Sequence, residues 1–189
     1  APATLKSIPA KKNFVQQDMN QNKVFFAHYD MVQAEINWVR NADKYDAKLA
    51  PTISLFNEYF GGGMGSIVFQ TIRESKALAY STYAYFAQPS NEKYRNSVIA
   101  YVGTQSDKMK EAVPAMNELI TTLPQSDKAL TNAQEGLRKN LATERITEDN
   151  IIFSYLAAKR MGRDYDIRKN IFEQTPKFTF ADLNNFHKN

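Results

Sequence analysis

The stretch "FNEYFGGGMGSIVFQTIRESKALAY", Phe56 to Tyr80, contains four of the seven glycines of this 189-residue chain. Glycine at this density is typical of a loop that turns sharply or that approaches a ligand closely. The fold and the function of the chain therefore depend on which of these two roles the glycines have. The four residues are Gly61, Gly62, Gly63 and Gly65.

The glycines do not have the pattern of a phosphate-binding loop. Such a loop follows a strand, whereas "PTISLFNEYF" before the glycines has apolar residues at helical spacing and Pro51 at its start. "GGGMGS" also matches neither G-x-G-x-x-G nor G-x-x-x-x-G-K-[ST]. We therefore predict a turn between two helices and no nucleotide site. Gly61 is expected to end the first helix in a left-handed conformation, and Gly65 or Ser66 to cap the second.

The segments on either side of this helix pair alternate with period two, as strands do. "VFFAHYD" and "VQAEINWVR" precede the first helix, while "AYSTYAYFAQ" and "NSVIAYVGTQ" follow the second. From Ser106 onward the sequence is helical to its end, with one helix starting near Thr147 and stopping at Gly162 and a capped helix after Thr179. This order predicts an α+β domain with helices packed on one face of a largely antiparallel sheet.

The N-terminal "APATLKSIPAKKN" has neither an initiator Met nor an apolar signal core. We expect residues 1–22 to form a linker or a poorly structured lead-in, and residues 23–189 to form one domain of a longer protein. The chain is long enough for a single domain with a sizeable core.

Charge and composition exclude several classes of function. The 24 Lys and Arg are interleaved with 20 Asp and Glu, which predicts a solvated mixed surface and not a nucleic-acid or membrane interface. The absence of cysteine excludes disulfide bonds, cysteine zinc sites and thiol nucleophiles. No apolar run approaches the roughly 20 residues of a membrane span.

The segment after the glycines, "SIVFQTIRESKALAYS", resembles the pattern S-x-L-[FY]-x-x-[IL]-R-E-x-x-[GA]-L-A-Y-S of the pitrilysin/insulinase family of zinc metallopeptidases. The resemblance extends from about Gln33 to Phe186. Ala77 stands where that family most often has Gly. If the position requires a positive φ, an alanine there costs roughly 1 kcal/mol.

The resemblance further implies which half of such a peptidase this chain represents. The family pairs two homologous halves, and the first carries the zinc motif H-x-x-E-H on a helix. This chain has two histidines, His28 and His187, at opposite ends, so it cannot assemble that motif. It is therefore similar to the second, non-catalytic half, which holds no metal, and zinc is expected in the catalytic half.

In that second half, the family uses an Arg and a Tyr seven residues later to bind peptide substrate in the active site of the other half. The resemblance places these roles on Arg73 and Tyr80. The Arg73 guanidinium has several N–H donors in one plane, and the Tyr80 phenol has an O–H that can donate to a carbonyl oxygen. The residue types alone leave two simpler roles open. Arg73 could complement the dipole of a helix C-terminus, and Tyr80 could be one more strand aromatic.

The resemblance thus predicts a substrate-binding, non-catalytic domain of a zinc endopeptidase, with a catalytic half and a peptide as its partners. The alternative is a proteolytically silent structural or assembly subunit of the same family. The family fold has a further strand after a helix such as "FADLNNFHKN". With that strand missing, an open sheet edge would favour a homodimer. The sequence leaves the compartment open, and it is compatible with the periplasm or the cell envelope.

Overall fold

The computed structural model describes residues 7, 9, 10, 12 and 15–188. Three β-strands and six α-helices follow one another, with a π-helix between α1 and β2 and short 3₁₀ helices at Ala47–Leu49, Ser106–Lys108 and Thr175–Lys177. In chain order the elements are β1 (Gln33–Lys44), α1 (Ala50–Phe60), the π-helix (Phe69–Ser75), β2 (Ser81–Ala87), β3 (Arg95–Gln105), α2 (Met109–Thr121), α3 (Asp127–Thr143), α4 (Glu148–Arg160), α5 (Ile167–Gln174) and α6 (Phe180–Lys188).

The three strands form one antiparallel sheet in the order β1-β3-β2. Tyr101 at the middle of β3 lies opposite Asn37 on β1 and opposite Tyr83 on β2. The prediction of an α+β domain with an antiparallel sheet is confirmed.

The sheet has one face covered by helices and one open face. Ala100 and Val102 of β3 and Ala84 of β2 are buried on the helix side, whereas Tyr83 and Tyr85 on the other side are partly exposed. Successive side chains of a strand point to opposite faces, which explains this alternation. The core joins the covered face to α1, the π-helix, α2 and α6, and its largest fully buried members include Leu55, Tyr59, Ile72, Met116 and Leu183.

Helix α1 lies along the outer edge of β2. The Asn57 side chain donates to the carbonyl of Phe86 (3.0 Å) and accepts from its N–H (2.7 Å), so it takes the place of a neighbouring strand. At the end of α1 a Cβ on Gly61 would overlap the backbone of Ala84. Gly61 has φ −151°, so the predicted left-handed conformation is wrong. Glycine is needed there because two backbones meet closely.

The predicted strand at residues 24–30 is also wrong. This segment has no regular secondary structure, and its side chains are exposed. Within the described residues its one backbone hydrogen bond links Met31 N–H to Tyr29 O (2.9 Å), so no adjacent strand pairs with it. Aromatic and β-branched composition favours a strand only where a partner strand is available.

Several predicted helix boundaries are confirmed. Gly162 has φ +66° just after α4, where its N–H bonds to Lys159 O and the next N–H bonds to Ala158 O. This is the Schellman arrangement that glycine favours. At the start of α6 the Asp182 carboxylate accepts from the N–H and the hydroxyl of Thr179, both at 2.7 Å, which is the carboxylate half of a capping box.

Candidate functional site

The π-helix places Arg73 at the surface. The helical residues 67 and 68 that lead into the π-helix follow Ser66, whose Oγ accepts from Phe69 N–H (3.4 Å). Ser66 is thus the cap, one of the two residues that the sequence offers. The π-helix has a hydrogen bond from Lys76 N–H to Thr71 O (3.0 Å), which spans five residues. Ile72 is fully buried and anchors the turn. Short π-helical segments are rare and occur frequently at functional sites.

The Arg73 side chain is half-exposed and is only loosely held. Its Nε lies 3.8 Å from an oxygen of Glu74, and its guanidinium carbon lies 4.8 Å from the centre of the Phe69 ring. An ion pair between two exposed side chains contributes little stability, because water screens it. The planar guanidinium can therefore bind another acceptor without breaking a strong contact.

The loop after the π-helix is fixed at three points. Lys108 Nζ donates to Ala77 O (3.1 Å), Leu78 is buried, and Tyr80 N–H donates to Gly103 O (2.9 Å). Ala77 has φ +48°, the left-handed region in which an alanine costs roughly 1 kcal/mol. The position where the family favours Gly therefore does adopt a positive φ. The surrounding contacts hold the strained turn in place.

Tyr80 follows this turn directly and is 58% exposed. Its phenol oxygen accepts a hydrogen bond from Gln105 Nε2 at 3.0 Å. Arg73 and Tyr80 both line a shallow cleft of about 290 Å³, so the structure brings the two predicted site residues together. The other residues that line the cleft are Glu74, Ala77, Leu78, Ala79, Gln105 and Lys108.

Sequence reasoning missed Gln105 and Lys108. Both lie about 25 residues or more after the motif, and only the pairing of Tyr80 with Gly103 brings them next to it. Strand register depends on the packing of the whole sheet, so a local pattern could not have identified them. The polar side chain of Gln105 at the end of an apolar strand was the one available signal.

The open face of the sheet beyond the cleft carries three neighbouring tyrosines. Tyr83 lies 5.0 Å from Tyr101 and 5.7 Å from Tyr85, measured between ring centres. Burial raises the pKa of the Tyr101 phenol, and the nearby Glu35 carboxylate raises it further. The Tyr101 phenol therefore stays neutral at physiological pH. The three rings together offer a surface that is apolar with polar edges.

Neither histidine belongs to the cleft. His187 on α6 lies beside the stacked rings of Phe56 and Phe60, with ring centres 6.1 and 5.7 Å away, and its Nε2 is 3.2 Å from Leu119 O. His28 lies in the exposed segment 24–30. Within the part of the chain that the structure describes, no three His, Asp or Glu side chains are grouped so as to hold a metal ion. No helix there is both long and apolar enough to cross a membrane.

Comparison with known proteins identifies the family. The model of the family described as "Peptidase M16 inactive domain" matches residues 3–137, which include Arg73 and Tyr80. A curated relative, the "Uncharacterized zinc protease YmxG" of Bacillus subtilis (strain 168), is 32% identical over 92 residues. That match covers 46% of this chain and 21% of the relative, so the chain spans about a fifth of the relative's length.

Solved structures agree with the fold. The peptidase M16 inactive domain from Pseudomonas fluorescens is 18% identical with a TM-score of 0.63, and the match covers 85% of this chain and 38% of that one. The periplasmic protease PqqL from Escherichia coli is 13% identical with a TM-score of 0.61, covering 85% of this chain and 18% of that one. The chain therefore belongs to the family of peptidase M16 inactive domains, which confirms its resemblance to the non-catalytic half of pitrilysin-family zinc proteases.

Proposed function

We propose that this chain is the substrate-binding domain of a zinc endopeptidase and that Arg73 and Tyr80 contact peptide bound in a partner catalytic half. The observation that supports the proposal is that the two side chains line one cleft while both remain accessible. The π-helix and the anchored loop after it hold their backbones in place, so the side chains can meet a substrate with little rearrangement.

The two residues suit different tasks. The Arg73 guanidinium offers several donors in a fixed plane and can bind the backbone carbonyls of an extended peptide. The Tyr80 phenol can donate its proton in a hydrogen bond to the oxygen that becomes negative when water attacks the scissile carbonyl. The zinc of the catalytic half would activate that water and polarise the same carbonyl.

The first test of this function is the rate of peptide hydrolysis by the chain combined with its catalytic half. Because one donor to a developing oxyanion contributes about 10²–10³ in kcat, Tyr80→Phe is expected to lower kcat by about 100-fold or more. Arg73→Lys keeps the charge but loses the planar fork, so we expect KM for an internally quenched peptide to rise.

Tyr155→Phe is the matched control, because Tyr155 on α4 is 59% exposed, as Tyr80 is, but lies outside the cleft. It should leave both constants unchanged. If Tyr80→Phe and Arg73→Lys behave like this control while the wild-type complex is active, the proposed roles are wrong. If the wild-type chain binds the catalytic half but the complex does not hydrolyse peptide, the chain is instead a structural or assembly subunit.

A further inference from the structure

We propose that Gln105 is a positioning residue that fixes the phenol of Tyr80 for its task. The proposal rests on the function proposed for Tyr80. The Gln105 side-chain amide donates to the phenol oxygen at 3.0 Å. A phenol oxygen that accepts from an amide keeps its own proton free, and the Tyr80 O–H can then point into the cleft toward a substrate oxygen.

Among the described residues, Gln105 makes the hydrogen bond that anchors the hydroxyl end of Tyr80. The backbone of Tyr80 is held by the bond from its N–H to Gly103 O (2.9 Å), but its side chain is 58% exposed. An exposed aromatic side chain without a second contact would sample several rotamers. Gln105 lies two residues beyond Gly103 on the same strand. One strand therefore holds Tyr80 at its backbone and at its hydroxyl.

The direction of this hydrogen bond gives the proposal its chemical content. If the phenol donated to an acceptor on Gln105, its proton would be occupied and could not stabilise a developing charge. An amide can adopt either role, whereas a carboxylate only accepts and a thioether has no N–H to donate. Gln105→Met removes the N–H donor and keeps a side chain of similar length. Gln105→Glu offers only an acceptor, so the Tyr80 O–H would donate its hydrogen bond to the carboxylate instead of to substrate.

The expected kinetic result follows from these roles. With the complete complex and an internally quenched peptide, Gln105→Met should lower kcat about 10-fold with little change in KM, because misplacing a reacting group by about 1 Å can cost 10²-fold. Gln105→Glu should lower kcat further. In a Tyr80→Phe background Gln105→Met should cause no additional loss, since the group that it positions is already absent.

Equal losses from Gln105→Met in the wild-type and Tyr80→Phe backgrounds would overturn the proposal, because Gln105 would then act on something other than the phenol. A Gln105→Glu variant that is as active as wild type would overturn it as well. Gln33→Met is the matched control, because Gln33 lies directly opposite Gln105 on β1 and is exposed. It should change neither constant.

An NMR measurement on the chain itself separates this proposal from the function on which it rests. With tyrosine labelled at 13Cζ, the Tyr80 signal is the one that disappears in Tyr80→Phe. Gln105→Met should shift that signal, and Gln33→Met should not. An unmoved Tyr80 signal refutes the contact with Gln105 whatever Tyr80 does in catalysis. A shifted signal together with a fully active Tyr80→Phe complex would show that the proposed function of Tyr80 is wrong, and with it the positioning role.

Discussion

Helices α1 and α4 have similar lengths and similar fractions of apolar residues, yet the structure uses them in opposite ways. Seven of the eleven residues of α1 are buried, whereas none of the thirteen residues of α4 is. The large apolar side chains of α4 are 47–66% exposed; these are Ile151, Ile152, Phe153, Tyr155 and Leu156.

The difference lies in what surrounds each helix. Helix α1 packs against β2 on one side and against α3, α5 and α6 on the others, so apolar residues all round it are covered. A helix that is apolar on every side normally occupies such a central place. Helix α4 has charged residues at both ends but a similar share of apolar residues, and the described part of the chain does not enclose it. Apolar composition therefore identifies a helix that can be buried, and its neighbours decide whether it is.

The largest expected effect comes from removing the same kind of side chain from each helix. Leu55 on α1 is fully buried, so Leu55→Ala leaves a cavity and should lower the free energy of unfolding by about 2–5 kcal/mol. Ile152 on α4 is 66% exposed, and Ile152→Ala should change it by no more than about 0.5 kcal/mol. Urea unfolding followed by circular dichroism measures both. Equal losses would mean that α4 is packed in solution and would remove the contrast between the helices.

A smaller effect is expected at the end of α1. A methyl group on Gly61 would overlap the backbone of Ala84, which cannot move without disturbing β2, so Gly61→Ala should cost about 1–3 kcal/mol. Gly63 has open space at the corresponding point, and Gly63→Ala is the matched control with little expected change. Thermal unfolding of the two variants provides the comparison. If Gly63→Ala were the more damaging, the close contact of α1 with β2 would not be the reason for glycine at position 61.

Much of this architecture could be predicted from local patterns. The motif from Ser66 to Tyr80, the alternation of β1 to β3 and the capping residues of α4 and α6 all depend on residues close in sequence. The errors arose where a distant partner decides the outcome. The segment 24–30 has strand-like composition but no strand beside it, and Gly61 is required by the backbone of Ala84 instead of by its own φ.

In the candidate site, too, some residues could be predicted from local sequence and others depend on a distant strand. Arg73 and Tyr80 stand within one recognisable motif, and the positive φ of Ala77 agrees with the Gly that the family most often has at that position. Gln105 and Lys108 reach the cleft only because β3 lies beside the loop at a particular register. A register is a property of the whole sheet, since a shift of one residue turns every side chain to the other face.

The smallest expected effect concerns pH and again involves α1. Burial lowers the pKa of His187 below its ordinary value of 6.5, although the bond to Leu119 O opposes this. The unfolded chain therefore takes up a proton first as the pH falls below about 6.5, so the free energy of unfolding should decrease from there toward the lower pKa of the folded state. The slope cannot exceed about 1.4 kcal/mol per pH unit for one proton.

Urea unfolding between pH 7.5 and pH 5 should show this decrease in the wild type and a flatter dependence in His187→Gln. Hydrogen bonds from Arg168 and Thr179 lower the pKa values of Asp166 and Asp182, so these carboxylates titrate below this window. His28→Gln is the control, because His28 lies on the exposed segment 24–30 and should leave the dependence unchanged. If His187→Gln keeps the wild-type dependence of the free energy of unfolding on pH, that dependence does not come from protonation of His187 beside α1. Experimental support that α1 is enclosed and α4 is not would then come only from Leu55→Ala and Ile152→Ala.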